Sequence, residues 1–131
     1  MTISSRAMGV TEMPDTNPQQ ALGRIVTDAQ IGAALDYLRD NAAEIGAARA
    51  RLIKAGHMVK HVEALLMLAS DLKSVESRKA DAKCSDRWMA AVNEESEAAG
   101  EFEKMKALRE AASAKIEAWR SESANYRGMR V

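Results

Sequence analysis

The fold is decided by residues 27–75, TDAQIGAALDYLRDNAAEIGAARARLIKAGHMVKHVEALLMLASDLKSV. Thr27 and Gln30 stand at the spacing of a capping box, in which the threonine hydroxyl accepts from the third amide of a helix and the glutamine reaches back to the first. Apolar residues then recur every three or four positions, the period of an amphipathic helix. They are Ile31, Leu35, Leu38, Ala42 and Ile45 and, after a slip of register, Leu52, Ala55, Val59, Val62, Leu66 and Ala69. The pattern predicts a helix over about residues 27–75.

Gly56 is the point at which this helix would break. Glycine inside a helix costs about 1 kcal/mol relative to alanine, and Ala55 followed by Gly56 also fits a helix end followed by a new helix. The apolar pattern crosses Gly56 without losing phase, so we favour one continuous helix. The sequence leaves both interpretations open.

A second amphipathic segment follows a polar stretch. Residues 76–85 have little apolar content, so the chain is expected to turn there, directly or through a short helix. Ser85 followed by Asp86 is a typical helix start, and Gly128 is a natural stop. Helical spacing between them is kept by Trp88, Val92, Glu95, Ala99, Phe102, Met105, Leu108, Ala112, Ile116, Trp119, Ser123 and Tyr126. The predicted helix covers about residues 86–127, and residues 128–131 form a tail.

Residues 1–26 lack a sustained period of either a helix or a strand and mix Ser, Thr, Gly and Pro. This composition predicts a flexible N-terminal arm. Asn17 followed by Pro18 resembles a helix cap with proline at the first helical position, which allows a short helix over about residues 18–25.

The charge order of the two segments predicts how they pair. The first is acidic and then basic, and the second is acidic and then basic as well: Asp36, Asp40 and Glu44 precede Arg49, Arg51, Lys54 and Lys60, while Glu94, Glu95, Glu97, Glu101 and Glu103 precede Arg120, Arg127 and Arg130. Only an antiparallel arrangement sets opposite charges side by side. The predicted fold is therefore all-α, a long antiparallel helical hairpin of coiled-coil type. One hairpin leaves each apolar face half covered, so we expect a homodimer that forms a four-helix assembly.

Composition limits the function classes. The chain has 131 residues, of which 47% are hydrophobic and 29% charged, and Lys plus Arg equals Asp plus Glu at 19 each. A balanced chain has no overall attraction to nucleic acid or to an anionic membrane. No apolar run approaches the roughly 18 residues that span a bilayer, and residues 1–20 do not resemble a secretory signal. The expected compartment is the cytoplasm, with no membrane partner and no cofactor.

Three basic groups are candidate contacts for a protein partner or for single-stranded DNA or RNA. The first, at the turn, is Arg78, Lys79, Lys83 and Arg87, beside Trp88; the second is Tyr126, Arg127 and Arg130, near Trp119 and Arg120; a weaker basic stripe is Arg49, Arg51, Lys54 and Lys60. Arginine beside aromatic residues is typical of interface hot spots and of single-strand binding. The glutamates across the hairpin explain the stripe better than nucleic-acid binding does, so we favour the first two groups.

Other reactive side chains give weaker signals. His57 and His61 have the i, i+4 spacing of zinc ligands, but no HExxH motif and no third strong ligand accompany them, so two solvated histidines are the favoured interpretation. Cys84 lies near Lys83 and Arg87, which favour a thiolate, yet no general base is adjacent in sequence. We therefore predict no catalytic and no metal site.

Three segments carry a resemblance to known proteins. ALDYL at residues 34–38, AARAR at 47–51 and KIEAWRS at 115–121 resemble stretches of small, largely uncharacterised helical proteins encoded by tailed bacteriophages and prophages. The resemblance covers about residues 35–127, and Gly56 and His57 interrupt what is a more uniformly charged and aromatic stretch in those proteins. It implies an accessory role in viral DNA metabolism inside a bacterial host cell, and it brings no active site.

The sequence thus predicts a non-enzymatic, phage-type accessory protein. It would act by protein–protein interaction, modulating a nucleic-acid-processing complex of host or phage or inhibiting a host-defence complex. The alternative is an accessory factor of phage recombination or replication that binds single-stranded nucleic acid.

Overall fold

The computed structural model describes residues 26–129, and this part of the chain consists of four α-helices with no β-strand. They are α1 (Asp28–Asp40), α2 (Ala42–Ala69), α3 (Val75–Lys83) and α4 (Asp86–Met129). The predicted all-α class is confirmed for these residues. The arm predicted over residues 1–26, its short helix at 18–25 and the last two tail residues lie outside the described part, Val26 excepted.

The start of α1 is the predicted capping box. The Gln30 amide donates to the Thr27 hydroxyl at 3.2 Å, and the Thr27 amide donates to Gln30 Oε1 at 2.9 Å. Thr27 itself is buried. The two side chains therefore accept hydrogen bonds from amides at the helix end that would otherwise need water as a partner. The prediction for this helix start is confirmed.

The first predicted helix is divided at Asn41, where the structure has a turn between α1 and α2. Helical hydrogen bonds continue on both sides, because the Asn41 amide donates to the Tyr37 carbonyl at 2.9 Å and its carbonyl accepts from Ile45 at 3.0 Å. Arg109 of α4 donates to the carbonyl of Leu38 at 2.9 Å and to Asn41 Oδ1 at 3.4 Å. The Leu38 carbonyl is the one that Ala42 would use in an uninterrupted helix. The Arg109 side chain of α4 thus bonds this carbonyl at the point where the helix divides. The sequence pattern did not predict the division.

The second departure is at the end of α2, which stops at Ala69 rather than near residue 75. Ser70 is extended, with φ −76° and ψ 141°. Ser74 then caps α3 by accepting from the Ser77 amide at 3.0 Å. Serines at these two positions offer local side-chain hydrogen bonds that compete with helix continuation. Of the two interpretations of residues 76–85, a direct turn or a short helix, the structure has the short helix. At Gly56, α2 continues without interruption.

The described residues fall into two compact units, residues 26–35 with 113–129, and residues 36–112. In the first, Val26, Ile31 and Ala34 are buried. The Val26 amide donates to Glu122 at 3.2 Å and the Trp119 indole donates to Asp28 at 3.2 Å. Val26, which the sequence assigns to the arm, is therefore part of a packed unit.

The core of the second unit consists almost entirely of alanine. Its buried apolar residues are Ala48, Ala55, Val62, Ala82, Ala98 and Ala112. Leu108, which the sequence pattern places among the apolar positions of α4, is 48% exposed. The fully buried positions of this unit are therefore mostly small side chains, while larger ones such as Leu66 and Phe102 are half-buried.

Within each unit, contacts join two segments: as residue numbers rise along one segment, the numbers of their partners fall along the other. In the second unit Asn41 meets Arg109 and Arg51 meets Glu94. In the first unit Val26 meets Glu122, and Asp28 meets Trp119. Paired segments therefore run in opposite directions within each unit.

Replacing Gly46 or Gly100 with alanine is expected to stabilise the protein. Both lie inside helices, and a Cβ at either position would have no atom within 4 Å, so each change should raise the free energy of unfolding by about 0.5–1 kcal/mol. Denaturant unfolding measures this. Gly56→Ala is the matched control, because its Cβ would meet Glu95 Oε2 at 3.1 Å and should give a smaller gain or a loss. Equal gains at all three positions would contradict the packing at Gly56.

Arg109→Met is expected to destabilise the protein. The variant keeps the apolar stem but leaves the Leu38 carbonyl and the Asn41 side chain without their charged donor, which costs about 1–3 kcal/mol. Denaturant unfolding at fixed protein concentration measures the loss. Lys106→Met, an exposed cation of the same helix, is the control and should change little. Equal stability of the two variants would contradict a structural role for Arg109.

Candidate protein-interaction surface

Large apolar side chains lie on the surface of the second unit. Ile53, Met58, Leu65, Leu68, Leu72, Val75, Met89 and Leu108 are all exposed, Leu68 by 79%. Single exposed apolar residues are ordinary, whereas a contiguous exposed apolar surface marks an interaction site. The question is therefore which of these side chains share a surface.

One of them, Met58, lines an open groove of about 450 Å³ between α2 and α4. This interhelical groove is lined by Arg51, Lys54, Ala55, Met58, Ala90, Ala91 and Glu94. Ala55 is buried at its floor, while Met58 is 42% exposed. Three alanines and Met58 make the lining of the groove mostly apolar.

A bidentate ion pair lies at the edge of the interhelical groove. Arg51 Nε donates to Glu94 Oε2 at 2.9 Å and Nη2 donates to Oε1 at 3.1 Å. These hydrogen bonds lower the pKa of Glu94, and they raise the pKa of Arg51, with smaller contributions from the nearby charges of Glu97 and Glu101. Both side chains are about half exposed, at 45% and 51%, so the pair fixes geometry more than it stabilises the fold.

A second groove lies on the outer side of α2 and has a volume of about 590 Å³. This outer groove is lined by Ala50, Ile53, Lys54, His57, Met58 and His61. Among residues 26–129, no three His, Cys, Asp or Glu side chains are grouped as a metal site requires. The two histidines thus border a mainly apolar surface that also includes the cation of Lys54.

Residues of α4 contact two members of the predicted basic stripe. Arg51 pairs with Glu94, and the Arg49 guanidinium lies 5.8 Å from the centre of the Phe102 ring, a cation–π distance. Lys60 borders a small groove beside Glu95. The sequence predicted glutamate partners for the basic stripe but not the contact with Phe102, because a contact with a residue of another helix leaves no local signal in the sequence. Lys54 is the stripe residue that faces both larger grooves.

The predicted group at the turn is divided between α3 and the first turn of α4. Arg78 is half-buried and its Nε donates to the Leu72 carbonyl at 2.6 Å, whereas Lys79, Lys83 and Arg87 are exposed. The Trp88 indole nitrogen is buried and has no acceptor among residues 26–129. The structure therefore leaves three cations at the surface and turns the indole N–H away from it.

Local hydrogen bonds position this group. The Ser85 hydroxyl accepts from the Arg87 amide at 3.1 Å, as the predicted helix start requires. Ala82 is buried where α3 packs on the end of α2, beside Leu66 and Ala69. Cys84 is an exposed free thiol at the end of α3.

The predicted C-terminal group belongs to the first unit. Tyr126 is half-buried and Arg127 is exposed, while Arg130 lies outside the described residues. Trp119, one of the residues that keep the helical spacing of this segment, is half-buried, and its indole donates to Asp28 Oδ1. Arg120 pairs with Glu117 of the same helix at 3.2 Å. Of this group, Arg127 is the exposed cation without an ion pair among the described residues.

Comparison with models of protein families, with curated proteins and with solved structures finds no match to this chain. The resemblance to phage proteins stays a prediction. Within residues 26–129, no helix combines the length and the apolar content that crossing a membrane requires.

The Arg51–Glu94 pair predicts a pH dependence of stability. The folded state lowers the pKa of Glu94, so the contribution of the pair is complete above the ordinary pKa of glutamate and is lost as the pH falls through the lowered value. Wild type should unfold at a higher temperature than Glu94→Gln near neutral pH, and the difference should vanish in acid. Glu103→Gln, at an exposed acid of the same helix, is the control. A difference that does not change with pH would contradict the pair's role.

Proposed function

We propose that this chain is an antiparallel helical hairpin that acts by binding other protein chains, with a homodimer in a four-helix assembly as its basic state. The observation that carries the proposal is the exposure of Met58, Leu65 and Leu108 beside a core of alanine. Covering such side chains with a second protein surface removes apolar area from water, which stabilises association.

Two observations support the hairpin. Paired residues run in opposite order along the chain in each unit. Arg51, from the basic part of α2, pairs with Glu94, from the acidic part of α4. The charge order of the sequence predicts this kind of pair for an antiparallel arrangement.

The biological role proposed for the hairpin is that of a phage-type accessory protein in the cytoplasm of a bacterial host. It would be non-enzymatic and would modulate a nucleic-acid-processing or host-defence complex by occupying a protein surface. This part rests on the resemblance of residues 35–127 to phage proteins. It is also favoured by the two open, mainly apolar grooves, whose form suits a protein helix better than an enclosed small molecule.

The second candidate is binding of single-stranded DNA or RNA. It is favoured by the exposure of Lys79, Lys83 and Arg87 around the end of α3, because phosphate contacts come from exposed lysine and arginine. Against it, α4 already holds two cations of the basic stripe, Arg49 and Arg51.

Sedimentation equilibrium tests the dimer directly. We expect a mass of twice the 14.3 kDa chain, with dissociation on dilution. Charged substitutions of exposed apolar residues, such as Leu65→Glu, should weaken association because they bury a charge without a partner. Ala43→Glu, at an exposed position of α2 away from the interhelical groove, is the control. A protein that is monomeric at all concentrations would contradict the proposal.

A labelled single-stranded oligonucleotide separates the two candidates. Protein association as the main activity predicts little or no binding at about 50 mM salt, a condition that favours phosphate contacts. Salt-sensitive binding that is lost in Lys79→Ala and Lys83→Ala, with a monomeric protein, would favour the second candidate instead.

A further inference from the structure

We propose that a second copy of the chain docks on the interhelical groove, with the two-fold axis parallel to the helices, so that α2 of each copy lies against α4 of the other. The proposal rests on the self-association proposed above and specifies its surface and symmetry. It is carried by two features of the residue 36–112 unit, the position of its exposed apolar side chains and the distribution of its charges.

Three of the exposed apolar side chains, Met58, Leu65 and Leu108, belong to the helix faces that line the groove. Met58 lines the groove, and Leu65 follows it by seven residues, two helical turns along the same face. On α4, Glu94 lines the groove and Leu108 follows by fourteen residues, four turns along that face. Both leucines are exposed, by 37% and 48%. Beyond the groove, each of its two helices thus carries an exposed leucine on the face that lines it, and a second copy docked along these faces would cover both.

The two walls carry opposite charges. Arg51 and Lys54 lie on the α2 wall. Glu94 lies on the α4 wall. Glu97 and Glu101 follow it by three and seven residues, on the same helix face, and their charges act on Arg51. The Arg51–Glu94 pair uses one cation and one carboxylate. Within residues 26–129, Lys54, Glu97 and Glu101 form no ion pair, so each wall keeps unmatched charge of its own sign.

These charges select the symmetry of the dimer. A two-fold axis parallel to the helices keeps every residue at its height and sets α2 of one copy opposite α4 of the other. Lys54 of each copy then faces Glu97 of the second copy, at two equivalent places. An axis perpendicular to the helices would instead set α2 on α2 and α4 on α4, with like charges opposed, which is unfavourable.

The outer groove of α2 is larger but fits a second copy less well. Its polar side chains are Lys54, His57 and His61, so none of them is acidic. Two copies joined through this groove would bring their lysines and histidines together, with no carboxylate in the lining to offset them. The interhelical groove is therefore the surface that its own copy complements.

Charge reversal in separate chains tests the proposal. In sedimentation equilibrium, Lys54→Glu alone and Glu97→Lys alone should each raise the dimer dissociation constant on the order of tenfold or more, since each creates two like-charge contacts. An equimolar mixture of the two variants should form a heterodimer close to wild type in strength, because both contacts become opposite in charge. Lys60→Glu, the same change beside Glu95 on another groove, should leave the dissociation constant unchanged.

Single cysteines provide an independent measurement in chains that carry Cys84→Ser. Met58→Cys and Ala90→Cys line the two walls of the groove. When the two variants are mixed and mildly oxidised, disulfide-linked heterodimers should predominate. Predominant Met58→Cys homodimers would indicate the perpendicular axis and overturn the proposal.

The outcomes separate this inference from the proposed function. A wild-type protein that is monomeric at all concentrations would overturn both. A wild-type dimer that is unaffected by the reversals, or one that each reversal weakens but mixing does not restore, would overturn the interhelical docking alone. Restoration by mixing, with heterodimeric disulfides, supports it, because a change in the fold of either variant would not be repaired by the other.

Discussion

Close packing of helices through alanine is the constraint on which the residue 36–112 unit depends. Alanine buries little area, so Ala48, Ala55, Ala98 and Ala112 allow the helices to approach but supply less hydrophobic stabilisation than leucine or phenylalanine would. Apolar side chains of leucine size or larger in the unit are at most half-buried, as Leu66 and Phe102 are. Leu65 and Leu108 remain at the surface, where they are available to another chain.

Polar contacts make up part of the specificity that an alanine core lacks. Alanine side chains have no rotamers and resist little sliding of one helix along another. Arg109 bonds the Leu38 carbonyl and Asn41 at one place, and Arg51 grips Glu94 through two hydrogen bonds at another. Each bond joins groups far apart in sequence, so together they fix the register of the unit.

The sequence predicted what local chemistry decides. The capping box at Thr27, the helical class and the passage through Gly56 follow from short-range hydrogen bonding and from the apolar period. The end of α2 at Ala69 coincides with the last residue of the apolar pattern, and the extended Ser70 ends the helix there. The predicted bound near residue 75 ran past that point. The exposure of Leu108 was missed for another reason: the pattern gives a face, but whether leucine or a neighbouring alanine occupies the contact depends on the helix separation. Likewise, Arg49 gave no sign of Phe102, which reaches it from another helix.

The electrostatics of the unit bear on its choice of partner. A surface attracts phosphate when its cations are uncompensated over several contacts. In this unit, Glu94 pairs with Arg51, and the charges of Glu97 and Glu101 also act on it. The electrostatic potential beside the interhelical groove therefore changes sign between α2 and α4. Such a surface offers a polyanion as many repulsive contacts as attractive ones. What it matches is a surface with the same alternation in the opposite order, and a copy of the chain turned about an axis along the helices presents that order.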